Sequence, residues 1–281
     1  MLHLNARNAF NSYLALLAGG AMLLVGGTGC SPQGASSSSG EPALETPADS
    51  LAMRVYDYMG GPDAWNSTRH LRFDFAAAMS GTPQSTRRHL WNRKTGAYRL
   101  EWPASSGTHV ALFNTNNRDE GQVFLNGNAV PAADKDSLLQ TAYRSYINDT
   151  YWLLAPTKLL DPGAQRSLIA DSSTASTAVL HVTFADTVGM TPGDEYWHYI
   201  DRRTGRLKAW RFELQSGNRG HFRWKGYRRL QAPAGSVRVA TRKQSAGGPL
   251  AILTDSVSLP QNVPDSLFSS PQPLLSPVSL E

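Results

Sequence analysis

The strongest constraint on what this chain can fold into is an alternation of apolar and polar residues that recurs along most of its length. Twice it runs around the same turn. Leu90–Trp102, LWNRKTGAYRLEW, and His198–Phe212, HYIDRRTGRLKAWRF, share an aromatic approach, a charged turn ending Thr-Gly, and a return alternating apolar with polar. A period of two separates the side chains of a strand onto opposite faces. In HLRFDFAAAM, Leu71, Phe73 and Phe75 share one face while Arg72 and Asp74 share the other, so a one-residue slip would bury charge. THVALF continues the pattern, and QVFLNGNAV turns on Asn126-Gly127, the strongest short hairpin signal present. TAVLHVTF alternates Leu180, Val182 and Phe184; HFRWKGYRRL carries Phe222 and Trp224, with Gly226 read as a bulge. VRVATRK and AILTDSVSL complete a set of about ten short strands, and their close spacing with tight turns predicts an antiparallel sheet.

Two segments break the alternation. In ETPADSLAMRVYDYMGGP, Thr46 caps, Pro47 suits the first turn, and Leu51, Ala52, Val55, Tyr56 and Met59 recur on one face until Gly60-Gly61-Pro62. In DKDSLLQTAYRSYINDTYWLLAP, Leu139, Ala142, Tyr143, Tyr146, Ile147 and Leu154 keep helical spacing up to Pro156, with Asp134 or Asp136 as the cap. A helix between two runs of strands has to lay its apolar face on the sheet, which makes Leu139, Tyr143, Tyr146 and Ile147 its sheet-facing residues. The expected fold class is mainly β (α+β), in the order helix, strands, helix, strands.

The N-terminus points to export. Arg7 precedes an apolar run of thirteen residues from Tyr13 to Val25, too short for the roughly 20 a spanning helix needs, and small residues close it. Cys30, the only cysteine, stands where that run meets the flexible stretch SPQGASSSSGEP. The arrangement resembles a bacterial lipoprotein signal, with Gly27 in place of the usual leucine. That resemblance implies a signal peptide over 1–29, a Ser/Gly-rich tether over 30–46 lipidated at Cys30 with fatty acids such as palmitate, and a folded domain over 47–281. Ser31 is compatible with outer-membrane sorting.

The net charge of +5 conceals an asymmetry. Thirteen Lys or Arg and one acid, Glu213, lie between Arg202 and Lys243. Such a strip suits either a solvated sheet face or contact with anionic lipid, whereas nucleic acid is not an expected partner of an exported lipoprotein. The sequence has no phosphate loop, nucleophile elbow or paired-cysteine metal site, and its seven histidines never fall in metal-ligand spacing, so no catalytic residue, metal or cofactor is assigned. His198 near Asp194 and Glu195 is the nearest approach to an acid–base group.

YIDRRTGRLKAWRF, the closing NVPDSLFSSP, and YWLLAPTKLLDPG together resemble the LolA/LolB lipoprotein-localisation group across nearly all of Leu51 to Pro271. The resemblance implies a single curved antiparallel sheet forming a half-barrel, with helices on its concave side and acyl chains of lipid or lipoprotein as the hydrophobic ligand. It also implies a bacterial envelope setting, at the outer membrane facing the periplasm, and no enzymatic activity. The alternative is an envelope sensor or protein-interaction module. The cavity-facing candidates are Phe73, Phe75, Tyr98, Leu100, Trp102, Val182, Phe184, Trp210, Phe212 and Trp224, for each of which ordinary core packing is the competing reading.

Overall fold

A computed structural model describes residues 45–184 and 193–275, without the side chains of Arg118 and Asp119. The signal segment, Cys30 and all but the end of the tether lie outside the described residues. The described chain forms thirteen strands, rather than about ten, in one antiparallel sheet. They are β1 (His70–Met79), β2 (Thr82–Asn92), β3 (Ala97–Ala104), β4 (Gly107–Asn114), β5 (Asn117–Leu125), β6 (Asn128–Ala129), β7 (Ala164–Leu168), β8 (Thr177–Phe184), β9 (Glu195–Asp201), β10 (Leu207–Glu213), β11 (Arg219–Ala232), β12 (Gly235–Ser245) and β13 (Leu250–Ser258). Strand β7 has no apolar alternation to announce it; it forms because β8 offers an unpaired edge.

The order across the sheet is β6-β5-β4-β3-β2-β1-β13-β12-β11-β10-β9-β8-β7. Two meanders run outward in opposite directions from a central pairing of the first and last strands, where Phe75 faces Thr254. One connection cannot be a hairpin. Strands β6 and β7 are opposite edges, so the chain between them has to cross the whole sheet. It does so as α3 (Ala132–Leu154), which at 23 residues and a rise of 1.5 Å per residue is about 35 Å long. This helix starts after Pro131 rather than at an aspartate cap, and Pro156 sits in the single turn of 3-10 helix, Ala155–Thr157, that follows it.

Helix α1 (Pro47–Tyr58) has the expected reciprocal cap: Asp49 N donates to Thr46 Oγ1, and Thr46 N donates to Asp49 Oδ2, both at 3.1 Å. Gly60 follows the end of α1, where the stop was expected. Its φ of +119° turns the chain into a second helix, α2 (Gly61–Ser67), which buries Trp65 and bonds its indole to Met59 O at 3.0 Å. The Asn126-Gly127 turn forms with φ of 51° and 84°. Gly226 is not a bulge: Lys225 pairs with Arg242 and Tyr227 with Ala240 in one unbroken register, and Gly226 takes a φ of +66° in place. The register shift in this region lies in β10, between Leu207 and Ala209.

The two matching turns have matching geometry. Gly96 N bonds Asn92 O and Gly205 N bonds Asp201 O, both at 2.9 Å, and each side-chain Oδ1 accepts from the turn backbone. Each turn holds one N-terminal helix. Arg93 donates to Trp65 O and Lys94 to Asn66 O at the end of α2, while Arg54 of α1 donates to the carbonyls of Arg202 and Arg203. The C-terminal tail is packed rather than loose. Arg99 donates to Leu267 O and Ser270 O, and Glu101 accepts from Leu274 N and Leu275 N, strapping the tail across β3.

Gly205 tests the turn–helix contact. Its φ is +77°, and an added Cβ would lie 2.2 Å from Arg54 O, whereas Gly81 has a similar φ of +88° with nothing within 4 Å. Gly81→Ala is expected to cost only the backbone strain, about 1 kcal/mol, and Gly205→Ala clearly more, about 3 kcal/mol, in urea unfolding.

Candidate functional site

The concave face gathers most of the large apolar side chains. Strand alternation turns Phe73 and Phe75 of β1, Tyr98 and Leu100 of β3, Val182 of β8, Trp210 and Phe212 of β10 and Trp224 of β11 into the interior, all buried. Trp102 and Phe184, nearer the strand ends, are half-buried. Helix α3 divides this surface. Its first half, through Leu139, Ala142, Tyr143 and Tyr146, joins Tyr98, Leu100, Phe113 and Val123 in one group. Its second half sends Trp152 and Leu153 into a larger group containing Phe73, Phe75, Val182, Trp210, Phe212, Phe222 and Trp224. Ile147, expected to face the sheet, is half-buried and belongs to neither group.

The rings pack mainly edge-to-face, as their quadrupoles favour. Trp210 is the hub, with centroids 4.7 Å from Trp152, 5.2 Å from Trp224, 5.4 Å from Tyr196 and 5.6 Å from Tyr151. Tyr146 plays the same part in the smaller group, 4.8 Å from Tyr98 and 5.6 Å from Trp91. Each ring therefore meets another ring of this chain. Two open depressions of the described surface lie elsewhere: one of about 790 Å³ over β10 and β11, and one of about 520 Å³ beside α1.

Polar groups are buried within the apolar interior. Asp149, on the inward side of α3, accepts from Arg87 Nε at 2.6 Å and Nη2 at 2.7 Å, and its Oδ2 lies 3.0 Å from His89 Nε2. His89 Nδ1 lies 2.7 Å from Tyr98 Oη, and its ring stacks on Phe73 at 4.3 Å. Burial pushes the Asp149 carboxyl up, but Arg87 and His89 outweigh it and hold it below the usual carboxylate value. Burial dominates at His89, whose pKa is lowered despite Asp149. On the other side, Lys243 is fully buried; it bonds Ala240 O and Thr254 Oγ1 at 2.8 Å and sits 4.9 Å over the Trp224 ring. The indole nitrogens of Trp210 and Trp224 have no hydrogen-bond partner among the described residues.

Sequence reading missed Arg87, His89, Asp149 and Lys243. Their signal was present: Asp149 continues the helical spacing of Ala142 and Tyr146, which placed a carboxylate on an apolar stripe. The histidine group suggested at His198 does not assemble. Alternation sends His198 inward, where it is fully buried, and Glu195 outward, where it pairs with His181 at 2.7 Å. Asp194 accepts from Gln215 N at 2.9 Å. Burial lowers the His198 pKa to about 3, only partly offset by the Leu180 backbone. The His89–Asp149 pair is fully buried, with its acid engaged by the partly exposed Arg87. Among the described residues no group of three or more potential ligands is placed to hold a metal, and no helix is long and apolar enough to cross a membrane.

The chain is similar in fold to several solved structures. One is a LolA superfamily protein from Nitrosomonas europaea, 13% identical, with a TM-score of 0.45 over 79% of this chain and 96% of that one. A DUF1329 family protein from Desulfovibrio piger is 7% identical, with a TM-score of 0.45 over 79% and 97%. A domain from Vibrio parahaemolyticus named for outer membrane lipoprotein sorting is 9% identical, with a TM-score of 0.40 over 78% and 94%. No family model matches the sequence, and no curated protein matches it.

Two measurements probe the buried polar groups. Asp149→Ala leaves Arg87 uncompensated under α3 and is expected to cost about 3–5 kcal/mol, whereas replacing Asp149 by Leu and Arg87 by Met together costs less. His198 binds a proton above pH 3 only when the chain unfolds. Its contribution is therefore complete above its ordinary pKa of 6.5 and is lost progressively as pH falls toward about 3. Stability is expected to decline on acidification through this window, and His198→Phe should flatten the slope by about 1.4 kcal/mol per pH unit in urea titrations.

Proposed function

We propose that this chain is a non-enzymatic envelope protein, lipid-anchored through acylated Cys30 at the outer membrane facing the periplasm, that holds acyl chains of lipid or lipoprotein between its curved sheet and α3. The observation that carries the reading is the inner surface itself: two adjoining groups of rings covered by the helices and carrying three buried indole N–H groups, of Trp91, Trp210 and Trp224, without acceptors among the described residues. Unmet buried donors are costly, and an ester or carboxyl oxygen among them would satisfy that need. Apolar burial of an alkyl chain, at roughly 25 cal/mol per Å², would supply the affinity. The described form is the closed one. For a guest to enter, α3 has to part from the rings, which breaks the Asp149 contacts with Arg87 and His89.

A second reading, a protein-interaction or sensor module, draws on a different observation. The interior rings already satisfy one another, while edge strand β7 ends on Leu168, one of two exposed large apolar residues among those described. An added strand from a partner could pair there.

Brominated fatty acid offered to the full-length protein separates the two. If acyl chains enter the ring layer, tryptophan fluorescence is quenched in a saturable way, and Trp210→Phe weakens both quenching and affinity. Absence of saturable quenching, together with absence of extractable lipid from the Cys30→Ser chain purified from bacteria, would reject the acyl reading in favour of the second.

A further inference from the structure

The two halves of the sheet's outer face differ. Over β3 the face is covered by the C-terminal tail, fixed by Arg99 and Glu101, which alternate with inward Tyr98 and Leu100. Over β8 to β11 nothing among the described residues covers it, and it carries the depression of about 790 Å³. Alternation sets the lining. Arg223 and Lys225 flank buried Trp224, and Tyr199 lies between buried His198 and Ile200. The floor is Ala209, whose small side chain lies opposite both Tyr199 and Arg223. The β10 register shift beside Lys208 leaves its Nζ 2.8 Å from Thr177 Oγ1, and Arg206 stands exposed at the rim.

Arg206, Lys208, Arg223 and Lys225 line this depression with no acid among its lining residues. The acids nearest in the register are engaged elsewhere: Glu213 with Arg219 at 2.6 Å, Glu195 with His181, and Asp201 with its own turn at Thr204. His221, in the lining, has its pKa lowered by burial and by Arg211 and Arg223, which fits a positive local field. Tyr199 is interleaved with the cations and half-buried, with an apolar body and a polar tip, while Tyr227 beside it is held by its hydroxyl to Leu207 O. An apolar body with a polar tip suits the boundary between headgroups and water.

We propose that the outer face of β8–β11 docks on an anionic lipid bilayer, with Arg206, Lys208, Arg223 and Lys225 receiving headgroup phosphates. A bilayer presents many phosphates in one plane, matching cations spread over neighbouring strands rather than gathered on one ligand. The attractions of cations at such a surface add, so four together give appreciable, salt-sensitive attachment. The surface lies opposite the ring layer and does not depend on the acyl reading.

Binding of the full chain to vesicles of phosphatidylglycerol with phosphatidylcholine, compared with phosphatidylcholine alone, isolates the charge-dependent part. Arg223→Glu with Lys225→Glu, both fully exposed positions, is expected to reduce that part by about tenfold or more and leave binding to phosphatidylcholine unchanged. The control pair Arg69→Glu with Lys135→Glu changes net charge equally at sites off this face and should leave it nearly intact. Equal loss in both pairs would reduce the effect to net charge and overturn the proposal, as would no loss in either. Acetylation footprinting of the unmodified sequence provides a measurement independent of variants. Phosphatidylglycerol vesicles should protect Lys208 and Lys225 but not Lys135, and uniform or absent protection would equally refute the docking face.

Discussion

The structure depends on one connection. Because β6 and β7 end at opposite edges of a single sheet, the chain between them must traverse the whole concave face, and only a long helix does this with its backbone satisfied. Everything in the interior is arranged around that crossing. Asp149 lies on its inward side, and the bonds from Arg87 and His89 fix where along the sheet the helix lies. A purely apolar helix would have had many near-equivalent resting positions; a buried ion pair with directional bonds admits one. Such a pair adds little net stability, because desolvation offsets its attraction, so specification of the helix position is its better-supported role here.

The interior combines two conditions rarely found together. Its rings make close edge-to-face contacts, which gives a well-packed core, yet buried donors at Trp210 and Trp224 go without acceptors, and Lys243 is held by neutral groups and a ring face. A core serving stability alone would replace these with apolar side chains of similar volume. The closed state and a liganded state would differ mainly in the position of α3, since the sheet is tied at its centre by the pairing of β1 with β13.

The outer surface follows from the same topology. With the first and last strands paired centrally, the C-terminus emerges mid-sheet and the tail turns over the N-terminal meander. Buried Arg99 and Glu101 anchor it there. Among the described residues nothing comparable covers the outer face of the C-terminal meander, where Arg206, Lys208, Arg223 and Lys225 of the basic excess gather. The repeated Thr-Gly hairpin also finds its explanation in these meanders: one copy in each half, each gripping one of the two N-terminal helices.

Sequence alone determined the class of fold and most of the register. Alternation is a local property, so Phe73, Phe75, Tyr98, Trp210 and Trp224 were identified as inward-facing without coordinates, as were the capping of α1 and the turn at Asn126-Gly127. What remained hidden was whatever depends on residues distant in the chain. Strand β7 has no pattern of its own and exists because β8 left an edge; the partner of Asp149 on the apolar stripe of α3, Arg87, lies 62 positions earlier and is brought beneath it only by the fold. The bulge moved from Gly226 to the neighbouring strand because glycine permits a positive φ without an inserted residue. Tertiary structure decided the order of the strands, and with it which charges are buried as partners and which are left facing solvent, because that choice is made by contacts the linear pattern does not contain.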